Sequence, residues 1–258
     1  LITTFAFWGA LPHASAATIN VVGTYSNWPT NWIALPTLND PNDGKDTQND
    51  FVGDVTNPTA YFGMNADYVF FRMRVQVPTV VAGTTFHDAH MVLIDLAGKD
   101  YNTKTKALQA GTDGNPDYGF CWDSKSNDNT KHGLEMQVRS TVGALWSGVA
   151  MDDIDYDAGK KGTNDINGNS CTADGYVRTL DQQTTVNFGM TTYVDFAVKW
   201  SYLQTYTGLN TNQVWRITLG SIANATDHNN INADIAGGAN PTSPTPAADA
   251  SIVFGYEM

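Results

Sequence analysis

Apolar and polar residues alternate strictly along ADYVFFRMRVQV, residues 66 to 77. Val69, Phe71, Met73, Val75 and Val77 fall on one face, and Tyr68, Phe70, Arg72, Arg74 and Gln76 on the other. A period of two is the mark of a strand with one face against a core. The same period sets Leu134, Met136 and Val138 against Glu135, Gln137 and Arg139. It sets Val194, Phe196, Val198 and Trp200 against Tyr193, Asp195 and Lys199, and Trp215, Ile217 and Leu219 against Arg216 and Thr218. The closing ASIVFGY alternates too. The one stretch that reads as helical is WSYLQTYTGL, 200 to 209, expected to connect two strands across one end of the molecule.

Between these runs lie polar, turn-rich stretches at 39–50, 111–117, 123–133, 155–169 and 236–249. Many strands, long polar loops and little helix predict an all-β fold: an antiparallel two-sheet β-sandwich, jelly-roll-like. No repeat or linker divides the chain, so residues 17–258 read as one domain. The opening LITTFAFWGALPHASAA stands ahead of it. Its apolar run and Ala14-Ser15-Ala16 match the end of a secretory signal peptide. It reads equally as a strand, with Thr3, Phe5 and Phe7 on one side and Ile2, Thr4, Ala6 and Trp8 on the other, eight residues spanning about 26 Å. The expectation adopted is a retained apolar strand within residues 1–16.

Composition narrows the function. Twenty-six acidic residues face 14 basic ones, at a pI near 4.5. Such a surface repels phosphate backbones and anionic lipids, so neither nucleic acid nor a membrane surface is an expected partner. No run reaches the roughly 18 to 20 apolar residues of a membrane span. The acid is nearly all aspartate, since glutamate occurs only at Glu135 and Glu257, and it arrives with Asn and Gly in short clusters. The balance of Thr, Asn, Ser and Asp suits an exported β protein, and an extracellular or cell-surface location is expected. There, Cys121 and Cys171, both in polar loop contexts, most simply form a disulfide.

Two loops carry hard oxygen ligands at high density. DPNDGKDTQNDFVGD gathers Asp40, Asp43, Asp46, Asp50 and Asp54, and DDIDYDAG places Asp153, Asp155 and Asp157 at alternate positions. Calcium, which takes six to eight oxygens with tolerant geometry, is the ion such loops suit. Neither is an EF-hand, because the glycine falls one position early in the first and one late in the second. The competing reading is a solvated turn whose aspartates bond their own backbone. His87 and His90 in FHDAH read as surface histidines at a strand edge. No organic cofactor is implied. No G-x-S-x-G, phosphate loop or facing carboxylate pair is legible, and no catalytic residue is assigned. Trp28 and Trp32 in YSNWPTNW, and Trp122, are candidate sugar-stacking platforms; the competing reading has Trp28 and Trp32 capping an open end of the sandwich.

The segment NWPTNW, the Asp-rich loop ending in Gly53-Asp54, the strand ADYVFFRMRV, MVLID with Asp95, PDYGF around Asp117, and TTYVDFAVKWSYL together resemble secreted bacterial surface proteins whose β-sandwich is related to DOMON and family-9 carbohydrate-binding modules. The resemblance implies an exported sandwich that binds carbohydrate, haem or calcium, or that builds the cell exterior. The chain lacks an evident haem-ligating Met/His pair, and carries Asp195 where related modules often have Glu. Two function classes follow. In the first the chain is a structural subunit joining copies of itself into filaments or a layer, with Ile2, Phe5, Phe7 and Trp8 as the apolar keys of a strand added to a neighbour's sheet. In the second it is a secreted module binding polysaccharide through Trp28, Trp32 or Trp122.

Overall fold

A computed structural model describes residues 28–41, 50–76, 89–102, 107–111, 116–123, 134–139, 151–154, 175–179, 183–185, 187–206, 208–222, 234–236 and 250–253. Its elements in chain order are β1 (Ile33–Ala34), a 3₁₀ turn (Pro36–Leu38), β2 (Ala60–Met64), β3 (Tyr68–Gln76), β4 (Ala89–Leu96), β5 (Lys99–Asn102), β6 (Ala107–Ala110), β7 (Tyr118–Asp123), β8 (Leu134–Arg139) and β9 (Met151–Ile154). There follow β10 (Gly175–Thr179), β11 (Gln183–Thr185), β12 (Gly189–Lys199), α1 (Trp200–Tyr206), β13 (Val214–Ile222), β14 (Asp234–Ile235) and β15 (Ala250–Val253).

The strands form two antiparallel sheets. The first, of six strands, runs β1-β2-β3-β12-β10, with β11 beside β10 on the same edge of β12. The second, of seven, runs β14-β13-β4-β7-β8-β9, with β15 also on β13. The hairpin β5-β6 stands apart from both. The chain passes from the first sheet to the second between β3 and β4, returns between β9 and β10, and crosses again through α1. The antiparallel sandwich expected from the alternation is therefore present.

One apolar layer joins the sheets. Val69, Phe71, Met73 and Val75 from β3 and Val194, Phe196 and Val198 from β12 meet Val92, Ile94 and Leu96 from β4, Tyr118, Phe120 and Trp122 from β7, and Trp215, Ile217 and Leu219 from β13. Every one of these is nearly or wholly buried, and each large side chain contributes about 1.5 to 3 kcal/mol by leaving water. The helix α1 closes one end: Trp200, Tyr202 and Leu203 enter the same core, the Trp200 indole N–H donates to the Asn65 carbonyl oxygen at 3.1 Å, and its ring lies 5.7 Å from that of Trp215.

The outer faces are not simply polar. On the first sheet Trp28 and Trp32 lie over Phe70, with ring centroids at 5.7 and 6.4 Å, and Trp28, Tyr68, Phe70 and Ala197 are buried together. These tryptophans cover a sheet face; they do not cap an open end as the competing sequence reading had it. On the second sheet Met91, Leu93, Cys121 and Ile222 form a further buried cluster. All eight residues of β4 are buried in consequence.

Candidate metal centre

The 3₁₀ turn after β1 delivers the chain to Asn39 and Asp40. Thr59 holds it there: the Asp40 N–H donates to Thr59 Oγ1 at 3.0 Å and the Thr59 N–H to Asn39 Oδ1 at 3.3 Å. The Gly53 N–H closes the loop on the Asp40 carbonyl oxygen at 2.8 Å. Asp50 stands where the chain rejoins the first sheet, its carbonyl oxygen accepting the Gln76 N–H at 2.9 Å, and the next residue, Phe51, bridges to Val75. Asp234 comes from β14 on the other sheet, paired by register with Ser221. Its Oδ2 accepts the Phe51 N–H at 2.6 Å, and its Oδ1 the Ile235 N–H at 2.8 Å.

Asp40, Asp50 and Asp234 thus converge between the two sheets, 0, 1 and 0 % exposed, each offering an oxygen within 4.8 Å of the others. Three carboxylates withdrawn from water repel one another when ionised, a cost that hydrogen-bond donors, protons or a cation can offset. Calcium binds oxygens at about 2.4 Å, so the ligands of one ion stand no more than about 4.8 Å apart, a limit these oxygens meet. The donor set and its spacing fit one hard divalent cation.

Of the metal ligands expected from the sequence, Asp40 and Asp50 enter this cluster. Asp54 does not: its Oδ1 accepts the N–H groups of Thr56 and Asn57 at 2.8 and 2.7 Å, and its Oδ2 the Asn187 side chain at 3.0 Å. It is the self-bonded turn aspartate of the competing reading, and the Asn57 and Asn187 bonds hold its carboxyl below the usual range. Asp153 lies on β9 of the seven-stranded sheet, opposite Gln137. Asp43, Asp46, Asp155 and Asp157 lie outside the described residues. Asp234 was missed; its only sequence signal is a lone acid among apolar neighbours, in NADIAG.

His90 corrects a second expectation. It is 0 % exposed, on the inward face of β4, stacked on Trp122 at 6.1 Å and edge-on to Phe51 at 6.2 Å. His87 lies outside the described residues. Trp122 is 4 % exposed and part of the core, so its ring offers no face to a sugar. Trp28 is 6 % exposed, with the Arg178 guanidinium 4.2 Å over its ring. Trp32 stays partly exposed, with Arg72 at 4.3 Å over its ring. Cys121 is buried on β7, and Cys171 lies outside the described residues. So do Ile2, Phe5, Phe7 and Trp8.

The outer face of the six-stranded sheet holds a second polar group. Asp195, wholly buried, binds Arg72 through both oxygens and Arg178 through Oδ2. Arg72 and Arg74 both lie over the Tyr193 ring, at 4.6 and 4.5 Å. Arg74 donates to the Tyr193 hydroxyl, which lies 3.4 Å from that of Tyr61. Burial, with the Tyr61 hydrogen bond, pushes the Tyr193 hydroxyl above the usual tyrosine range against the pull of the arginines. Asp195 faces outward here, whereas Glu135 belongs to the other sheet, so the two strands do not bring these carboxylates into a facing pair.

No family model matches the chain, and no curated protein or solved structure matches it. Among the described residues no helix is long and apolar enough to cross a membrane.

Proposed function

We propose that this chain is an extracellular structural subunit, a β-sandwich clasped by calcium, that joins copies of itself by adding the apolar segment within residues 1–16 to a neighbour's sheet. The observation that carries the reading is the cluster of Asp40, Asp50 and Asp234: buried carboxylates from both sheets, each offering an oxygen within 4.8 Å of the others. An ion there ties the sheets together, which is a device for rigidity rather than turnover, and the reading assigns the protein no catalytic step. Calcium at extracellular concentrations suits sites of modest affinity built this way.

The assembly half is supported by the edge of the six-stranded sheet. The strand β1 is only two residues long, and its Ile33 is 57 % exposed. The length of β1 by itself blunts that edge; what favours an added strand is the exposed apolar Ile33 side chain, which a neighbour's strand would cover. Competing service as a sugar platform is weakened, because Trp28 and Trp122 are buried and arginines cover Trp28 and Trp32. A Cys121–Cys171 disulfide belongs to the same exported reading, and mass mapping without reductant tests it.

The deciding experiment is negative-stain microscopy of the purified chain with calcium, with chelator, and after deletion of residues 1–12. Fibres or sheets that form with calcium and vanish on deletion support the proposal. Normal polymers from the deleted chain overturn strand addition, and an unchanged unfolding midpoint in chelator overturns the clasp.

A further inference from the structure

We infer that the Tyr61 and Tyr193 hydroxyls, backed by Arg74, form a carboxylate-binding site on the outer face of the six-stranded sheet. The inference is independent of the assembly and calcium readings. Tyr61 on β2 stands opposite Arg72 of β3, and Tyr193 on β12 opposite Arg74. Paired residues share a face of the sheet, so these four side chains stand together on the side away from the core. Both tyrosines are partly exposed, their rings edge-on at 5.9 Å.

Arg74 supplies the charge. It is 4 % exposed, and it donates to the Pro58 carbonyl oxygen at 3.4 Å, to Thr191 Oγ1 at 3.5 Å and to the Tyr193 hydroxyl, all neutral acceptors. It forms no ion pair among the described residues. The Asp195 carboxylate is engaged by Arg72 and Arg178. Asp54 interacts with Arg74 through charge alone, its oxygens holding its own turn and Asn187. A guanidinium withdrawn from water without a carboxylate beside it is costly, and an anion brought close lowers that cost.

The hydroxyls supply the donors. Hydrogen bonds between two oxygens settle at about 2.7 to 2.8 Å, whereas these phenol oxygens stand 3.4 Å apart, so neither proton has a close acceptor among the described residues. Tyr193 accepts an N–H from Arg74, which leaves its own O–H to donate and polarises it. Burial, with the Tyr61 hydrogen bond, raises its pKa, so the hydroxyl keeps that proton across the physiological range. An anionic oxygen about 2.7 Å from both hydroxyls closes a triangle on the 3.4 Å base, with the Arg72 and Arg74 guanidinium groups lying over the Tyr193 ring beside it. A single uncompensated positive charge, in a chain of net charge −12, favours a monoanion over a doubly charged sulfate.

The test titrates the full chain, its tyrosine rings isotopically labelled, by NMR. The probes are acetate, glucuronate, sulfate and glucose, with sodium chloride at matched ionic strength as the reference. Acetate and glucuronate are expected to shift the Tyr61 and Tyr193 rings saturably, with dissociation constants on the order of millimolar. Sulfate is expected to bind more weakly and glucose not at all. Tyr61→Phe and Tyr193→Phe each remove one donor and are each expected to weaken acetate binding at least about tenfold. Tyr61 is the less constrained of the two, so its variant keeps the test decisive if Tyr193→Phe fails to fold. Arg216→Gln, on the other sheet, is expected to leave acetate binding unchanged. Glucuronate bound about tenfold more tightly than acetate supports the site and assigns it to a carboxylate carried on a saccharide; equal affinities support it as a site for the carboxylate alone. Shifts that chloride reproduces, absence of a saturable shift at these two rings, tighter binding of sulfate than of acetate, or undiminished acetate binding by Tyr61→Phe overturns the inference.

Discussion

Asp195 and Arg72 face each other across β12 and β3 in a two-pronged ion pair, Nε to Oδ1 at 2.7 Å and Nη2 to Oδ2 at 2.8 Å. Arg178 reaches the same carboxylate from β10 on the other side, so one wholly buried aspartate ties three neighbouring strands. Removing its charge leaves two largely covered guanidinium groups without their anion. Asp195→Asn is therefore expected to cost about 3 kcal/mol, read from urea unfolding. The pair between Asp95 and Arg216 is the control: at 3.2 Å, with 43 % of the arginine side chain exposed, Arg216→Gln is expected to cost less than about 1 kcal/mol. Equal costs for the two substitutions would refute the distinction.

Calcium binding predicts a shift of the unfolding midpoint. A cation that binds only the folded chain, present at a hundred times its dissociation constant, adds about 2.7 kcal/mol. For a chain of this size that raises Tm by about 5 °C or more. Asp234→Asn removes the ligand from the second sheet, and its Tm is expected to be insensitive to calcium and chelator alike. Asp54→Asn, outside the cluster, is expected to keep the full calcium response.

How much of this was legible follows from what alternation encodes. A period of two says which side chains share a face, and Val69, Phe71, Met73 and Val75 of β3, Leu134 and Met136 of β8, Val194, Phe196 and Val198 of β12, and Trp215, Ile217 and Leu219 of β13 lie in the core as read, because one face of each strand meets it. The helix was expected over 200–209 and spans Trp200–Tyr206, ending before the positive-φ Gly208. Alternation does not say what covers the other face. Trp28 and Trp32 were read as sugar platforms or as caps of an open end, and Arg72 and Arg74 only as the face opposite the core; they stack on one another over Phe70 and Tyr193 instead. His90 sat in a polar string, FHDAH, and only its register with Trp122 and Ser221 places it in the core. The carboxylate cluster was half visible. Asp40 and Asp50 share a loop, but 183 positions separate Phe51 from Asp234, and only the pairing of β14 with β13 brings them together.

Asp54 gives the pH dependence a definite sign. Hydrogen bonds from Asn57, Asn187 and Thr56 favour its ionised form, so its folded pKa lies below the roughly 3.9 of an unfolded chain. The unfolded chain then binds more protons in that range, and stability rises with pH. The contribution is fully present above about pH 4 and is lost as pH falls through the lowered folded value. Asp54→Asn keeps an acceptor for the Thr56 and Asn57 N–H groups but cannot titrate. The difference between wild-type and variant stabilities is expected to be constant above about pH 4 and to shrink below it. A difference that stays constant down to pH 2 would show that these bonds do not discriminate between the charged and neutral forms.

Gly53 links loop packing to the proposed cation site. A Cβ there would lie 2.4 Å from both the Thr59 nitrogen and Oγ1, and 2.6 Å from the Asn57 carbonyl oxygen. Two of these contacts are backbone and cannot swing aside, so Gly53→Ala must displace the loop, at a cost of about 2 kcal/mol. The displaced atoms are the ones that hold Asp40, through Thr59 Oγ1 and the Gly53 N–H itself. The variant is therefore expected to lose stability and also to bind calcium at least about tenfold more weakly in calorimetry, although no ligand has been changed. Thr59→Val removes only the Oγ1 acceptor at nearly constant shape, and is expected to weaken calcium binding in the same direction by a smaller factor. Weaker stability with unchanged calcium affinity in both variants would show that the Asp40 carboxylate is positioned independently of this loop.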